Sequence, residues 1–158
     1  MAALTRSEAL EATSEPSAVL AEDSIDAVEI AALERALRDS EAERRAMFDT
    51  ATCGRAYVDP DTEQLLHGNP KLREMTGWTN DELVELRWPQ LLNVADVERN
   101  LPELERLRRG QVREIVFQAR CLRKDASLIP VRVWAMVVRD ESWRPLRMLV
   151  TLEEEDAD

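Results

Sequence analysis

Histidine occurs once in this 158-residue chain, at His67, and cysteine twice, at Cys53 and Cys121. With His67, beside Gly68 at an expected strand end, as the only histidine, a histidine kinase phosphoacceptor arrangement has nowhere to sit, and the side chain suits a surface or strand-edge position. Two distant cysteines with no ligand-like spacing read as reduced thiols packed as small apolar residues, rather than as a disulfide or metal site. No apolar run approaches the ~18 to 20 residues that span a bilayer, so no membrane partner is expected. The N-terminus lacks the basic-then-apolar order of a secretory signal, and the expected location is cytoplasmic. There is no Walker loop, dinucleotide glycine pattern or zinc spacing. Paired acids such as Asp59 and Asp61 flank Pro60 and read as turn formers, so no catalytic residue is assigned and no enzyme activity is expected.

What the chain has in quantity is acid. Its net charge of −11 argues against nucleic acid as a partner, because phosphate contacts need clustered Lys and Arg. The charge is uneven: residues 1–50 hold twelve acids and five bases, whereas residues 96–147 hold twelve bases and eight acids. Hydrophobic residues make up 44%, enough for one domain with a real core and an extension.

Composition shifts set the boundaries. Residues 1–23 are rich in Ala, Ser, Glu and Thr with Pro16 among them, and read as a flexible acidic arm. Residues 24–46, without Gly or Pro, read as an amphipathic helix on which Ile30, Leu33 and Leu37 fall at coiled-coil spacing. The next seam positions are Ser40 and Arg44, so that row suits a short dimer contact or a helix laid on a protein surface equally well. Residues 154–158 form an acidic tail.

Between these lies a change of period. Two short strands flank Asp59-Pro60-Asp61, and HGNPKLREMTGWTNDEL then carries two helix starts in succession. Asn69 caps a helix with Pro70 at its first position and Gly77 as its left-handed stop. Thr79 with Glu82 forms a capping box for a second. A longer helix is expected from near Asp96 to Arg109, with Val97, Leu101, Leu104 and Leu107 as its buried stripe; Pro102 lies inside that span and is equally compatible with a start just before itself. Three strands joined by short turns follow and read as an antiparallel meander. In the middle one, Ile129, Val131, Val133, Ala135 and Val137 form one apolar face, yet Trp134, Met136 and Val138 make the opposite face apolar too. The expectation is a sheet covered on both sides, by short helices on one and by the N-terminal helix, a second copy, or both on the other.

This order of elements resembles the PAS sensor domain. The resemblance runs over residues 47–153 and is carried by Asn69-Pro70, by Gly77, Trp78, Thr79, Glu82 and Leu83, and by the three-stranded second half. It implies an α+β fold: a five-stranded antiparallel sheet with short helices on one face and an N-terminal helix. It departs from the family where Asp125-Ala126 replaces the usual Asp-Gly turn. Family members often continue into a kinase or cyclase, whereas here the chain stops five residues after Glu153. The implied function is non-enzymatic bacterial-type signalling through protein contact, as a homodimer or with another signalling protein, using Ile30, Leu33, Leu37, Trp134, Met136 and Val138. The alternative is a small-ligand or cofactor sensor, with Trp88, Leu92, Ile115, Phe117 and Val133 as cavity walls. Haem and flavin are not expected as cofactors, and LLNVADVERN lacks the reactive cysteine of the light-sensing flavin branch.

Overall fold

The computed structural model describes the backbone of residues 2–156 and the side chains of residues 26–156. It divides into two compact units, Met1–Arg45 and Ala46–Asp158. The first is formed by helix α1 (Ala2–Asp49), whose last turn belongs to the second unit. Its backbone is helical from Ala2, so the helix start placed near residue 24 is corrected. The Ala, Leu and Glu residues around Pro16 are strong helix formers, and the element runs through it. The arm character assigned to residues 1–23 concerns side chains that lie outside the described residues. Farther along, Ile30, Leu33 and Leu37 are all exposed.

The second unit begins with hairpin strands β1 (Gly54–Val58) and β2 (Leu65–Gly68). The turn between them forms because the Asp59 carboxylate accepts from the backbone N–H groups of Asp61 at 2.8 Å and Thr62 at 3.1 Å. Those backbone bonds hold its carboxyl below the ordinary carboxylate range. Helix α2 (Pro70–Thr76) starts at the Asn69 cap and ends at Gly77, whose φ of 81° is the left-handed stop. Helix α3 (Asn80–Leu83) carries the full Thr79–Glu82 capping box. Both helices sit close against the hairpin: a Cβ on Gly68 would lie 2.7 Å from Leu83 Cδ1 and 3.0 Å from Leu72 Cδ2, so a larger residue there would require those side chains to shift.

A 3-10 turn (Trp88–Leu91) leads into helices α4 (Val94–Arg99) and α5 (Leu101–Arg108). The expected single helix is thus two, broken at Asn100, because Pro102 suits the first turn of a new helix better than the interior of an old one. The break also rotates the face: Leu104 and Leu107 are buried as expected, while Leu101 is exposed.

Strands β3 (Glu114–Leu122), β4 (Leu128–Arg139) and β5 (Pro145–Glu154) complete an all-antiparallel sheet in the order β2-β1-β5-β4-β3. The turn from β3 to β4 places Ala126 at φ 71°, the conformation that glycine adopts without cost. The core lies between the inner sheet face, represented by Ile115, Phe117, Val131, Val133 and Val150, and the short helices.

Candidate functional site

Trp88, Leu92, Ile115, Phe117 and Val133 do meet in one core, and all are buried. Of the five, Trp88 borders a pocket. The pocket beside Trp88, bounded by Glu63, Leu104, Leu107 and Arg108, has a volume of about 20 Å³. That is room for a single water molecule, far below the ~300 Å³ or more of a typical ligand site. The residues expected to line a cavity are all members of the buried core.

Three polar clusters fix the short helices that close this core. The first is Asn69, fully buried, which uses both ends of its amide. Its Oδ1 accepts from Leu72 N and from Arg55 N, each at 2.9 Å, and so caps α2 and holds β1. Its Nδ2 donates to the carbonyls of Phe48 at 2.9 Å and Cys53 at 3.1 Å, and so ties down the chain leaving α1. The second is Asp96, buried on α4, which accepts from Arg120 N at 2.8 Å and Arg120 Nε at 3.0 Å. The Arg120 guanidinium holds this carboxyl below the usual range, against the upward push of burial. The third is the Glu63–Arg108 ion pair, which joins the β1–β2 turn to α5.

The other face of the sheet is different in kind. Register places Val116 beside Trp134 and then Thr151, and Glu114 beside Met136, Leu149 and Tyr57. Trp134 and Val138 are each 45% exposed and Val116 is 49% exposed, while Met136 is half-buried. Trp134 is steadied by its indole N–H, which donates to Glu114 Oε2 at 2.9 Å. At the far end, Phe48 from the last turn of α1 stacks on Tyr57, with ring centroids 4.4 Å apart, and packs 5.5 Å from His67. Within this unit the outer face is thus covered only at its β1–β2 end. Along β3 and β4 no other segment of residues 46–156 crosses over it.

Two features lie outside the sequence expectations. Phe48, 4% exposed, is the anchor of the α1 terminus, and its only signal in the sequence is an aromatic residue closing a charged helix just before a strand. At the β4–β5 turn, Trp143 adopts φ 65° with the guanidiniums of Arg113 and Arg139 at 5.3 and 5.6 Å from its ring. This cluster lines an open groove of about 510 Å³ next to Met136 and Val138. A tryptophan at positive φ is not readable from composition, since nothing in the sequence favours it there. No group of side chains suited to a metal ion occurs among the described residues, nor any helix long and apolar enough to cross a membrane.

A five-stranded antiparallel sheet in this order, helices on one face and an anchored N-terminal helix turn define a sensor-type α+β module, and comparison with known proteins agrees. The PAS fold matches residues 65–152, and the chain belongs to that family. PAS domains are in general sensory and regulatory modules rather than enzymes. No curated protein matches the sequence. Among solved structures, a PAS domain from Colwellia psychrerythraea is similar at TM-score 0.64 and 15% identity, covering 72% of this chain and 95% of its own. A domain of a sensory box sensor histidine kinase/response regulator from Geobacter sulfurreducens is similar at TM-score 0.60 and 19% identity, covering 75% and 96%. The LOV protein of Rhodobacter sphaeroides gives TM-score 0.63 and 19% identity, covering 77% and 69%. At these identities the likeness concerns the fold.

Proposed function

We propose that this PAS domain signals through protein contact, pairing with itself or with another signalling protein, without an enzymatic step and in the cytoplasm of a bacterial-type system. The contact surfaces are the open outer sheet face around Trp134, Met136 and Val138 and, separately, the exposed row Ile30, Leu33 and Leu37 on α1. One observation carries the reading: the apolar outer face is exposed within this unit, with Trp134 45% exposed, while the pocket beside Trp88 holds only about 20 Å³. An exposed tryptophan bordered by valines and a methionine is the composition of an interface centre, and aromatic residues and Met are enriched there.

The test is solution mass by light scattering across protein concentration, for the unsubstituted chain, for Trp134→Glu and for Leu33→Glu. The expected result is a dimer that one or both charges dissociate. A chain that stays monomeric and captures no partner when immobilised would overturn the reading.

The alternative, a small-ligand or cofactor sensor, draws support from the Glu63–Arg108 pair and the Trp88 indole beside the residual pocket. It requires that pocket to open by an order of magnitude. Native mass spectrometry of the purified protein separates the two readings, since a sensor of this kind retains a bound species.

A further inference from the structure

Strand β3 lies at one edge of the sheet, and its backbone divides cleanly by parity. Odd-numbered residues serve the ladder with β4; just before the strand, the Arg113 carbonyl already accepts from Val137 N at 2.9 Å. Even-numbered residues point away from β4. At Arg120 the chain itself closes that outer edge. The Arg120 carbonyl accepts from Asn93 N at 2.9 Å, and its N–H donates to Asp96 Oδ2 at 2.8 Å. Upstream the closure stops: the outward N–H and C=O groups of Glu114, Val116 and Gln118 have no backbone partner among the described residues. A straight edge of this kind is a ready template for another strand.

We propose that this open edge is a strand-addition site occupied by β3 of a second copy of the chain, antiparallel, about a twofold axis at Val116. The inference rests on the reading that the domain acts by protein contact, and it assigns that contact a geometry. The occupant follows from the side chains. Pairing about Val116 sets Glu114 opposite Gln118 of the partner subunit, a carboxylate facing an amide, and Val116 opposite itself, so no like charges meet. The three pairs formed by Glu114, Val116 and Gln118 exchange two hydrogen bonds each, with every edge-facing group from Glu114 to Gln118 satisfied. Val116 and Trp134 stand side by side on the outer face, so pairing also joins the apolar rows of both copies across the junction. The strand is its own complement, as a closed isologous contact requires.

Parity supplies the test. Val116→Pro removes an N–H that faces the edge and none that serves β4, a placement proline tolerates in an edge strand. Sedimentation velocity on the full chain should show the dimer dissociation constant raised about tenfold or more, with an unchanged circular dichroism spectrum. Gln118→Glu sets carboxylate against carboxylate and should weaken the dimer. Adding Glu114→Gln recreates the carboxylate–amide pair and should restore it. If Val116→Pro fails to fold, the Gln118 and Glu114 series decides the matter. A dimer indifferent to the edge variants but lost in Trp134→Glu would overturn strand addition and leave the face contact standing. A monomer at every concentration would overturn both.

Discussion

Replacing Asn69 with alanine should destabilise the domain more than any other single polar substitution outside an ion pair. The side chain makes four hydrogen bonds from a position with 0% exposure, so no solvent replaces them when it goes. Loss of a helix N-cap alone costs about 1 kcal/mol. The three remaining partners are backbone groups, and each costs about 1 kcal/mol when its bond is lost, more where it stays buried. The total is about 3–5 kcal/mol, a large share of the ~5–15 kcal/mol that holds a domain of this size folded. Urea unfolding of the full chain followed by tryptophan fluorescence reads this directly, as a lower midpoint with an unchanged slope. Asn69→Asp adds a sharper control. It keeps both accepted bonds but turns two donated ones into contacts between a carboxylate oxygen and the carbonyls of Phe48 and Cys53. Folding then favours the protonated acid, so its pKa is raised in the folded state. The variant should be least stable above that raised pKa and regain stability as pH falls through it. A cost below about 1 kcal/mol for Asn69→Ala would refute the reasoning, because it would mean the cap alone matters.

Ala126→Gly should stabilise by about 0.5–1 kcal/mol, since the left-handed strain relieved at φ 71° exceeds the entropy that glycine adds to the unfolded chain; thermal unfolding measures it. Asp96 has a depressed pKa in the folded state, so its contribution is present above the ordinary carboxylate pKa of about 4 and is lost as pH falls through the lower folded value. Asp96→Asn should therefore flatten the acid side of the stability–pH curve and lower stability at neutral pH by about 1–3 kcal/mol. Burial pushes the Cys121 thiol up to about 12, while Cys53 is half-buried. A thiol reagent at pH 8 should label Cys53 in the native protein and both cysteines only after denaturation.

The parts of this fold legible in the sequence are those set by local chemistry. Asn69-Pro70, Gly77 and Thr79 with Glu82 each fix a helix terminus within four residues, and Ile115, Phe117, Ala119 and Cys121 at every second position fix a face. Legibility ends where a local rule has two solutions. Pro102 was compatible with a helix starting near Asp96 or near itself, and the choice moved Leu101 from the core to the surface. The residues expected around a cavity all lie in one core, but apolar pattern carries no information on whether large side chains leave a void. Apolar residues on both faces of β4 predict a sheet covered twice, but pattern records what a face is made of and not what rests on it.

The Phe48–Tyr57 stack and the bonds from Asn69 to Phe48 and Cys53 also say where this domain physically starts. The family match begins at residue 65, inside the hairpin, and a composition boundary falls near residue 47. Neither is a mechanical boundary. A chain cut after Phe48 would leave Tyr57 and His67 without their stacking partner and remove one of the two carbonyls to which Asn69 Nδ2 donates, so the last turn of the leading helix is a structural part of the sheet it precedes. Any pull or twist delivered along that helix meets the core first at one asparagine.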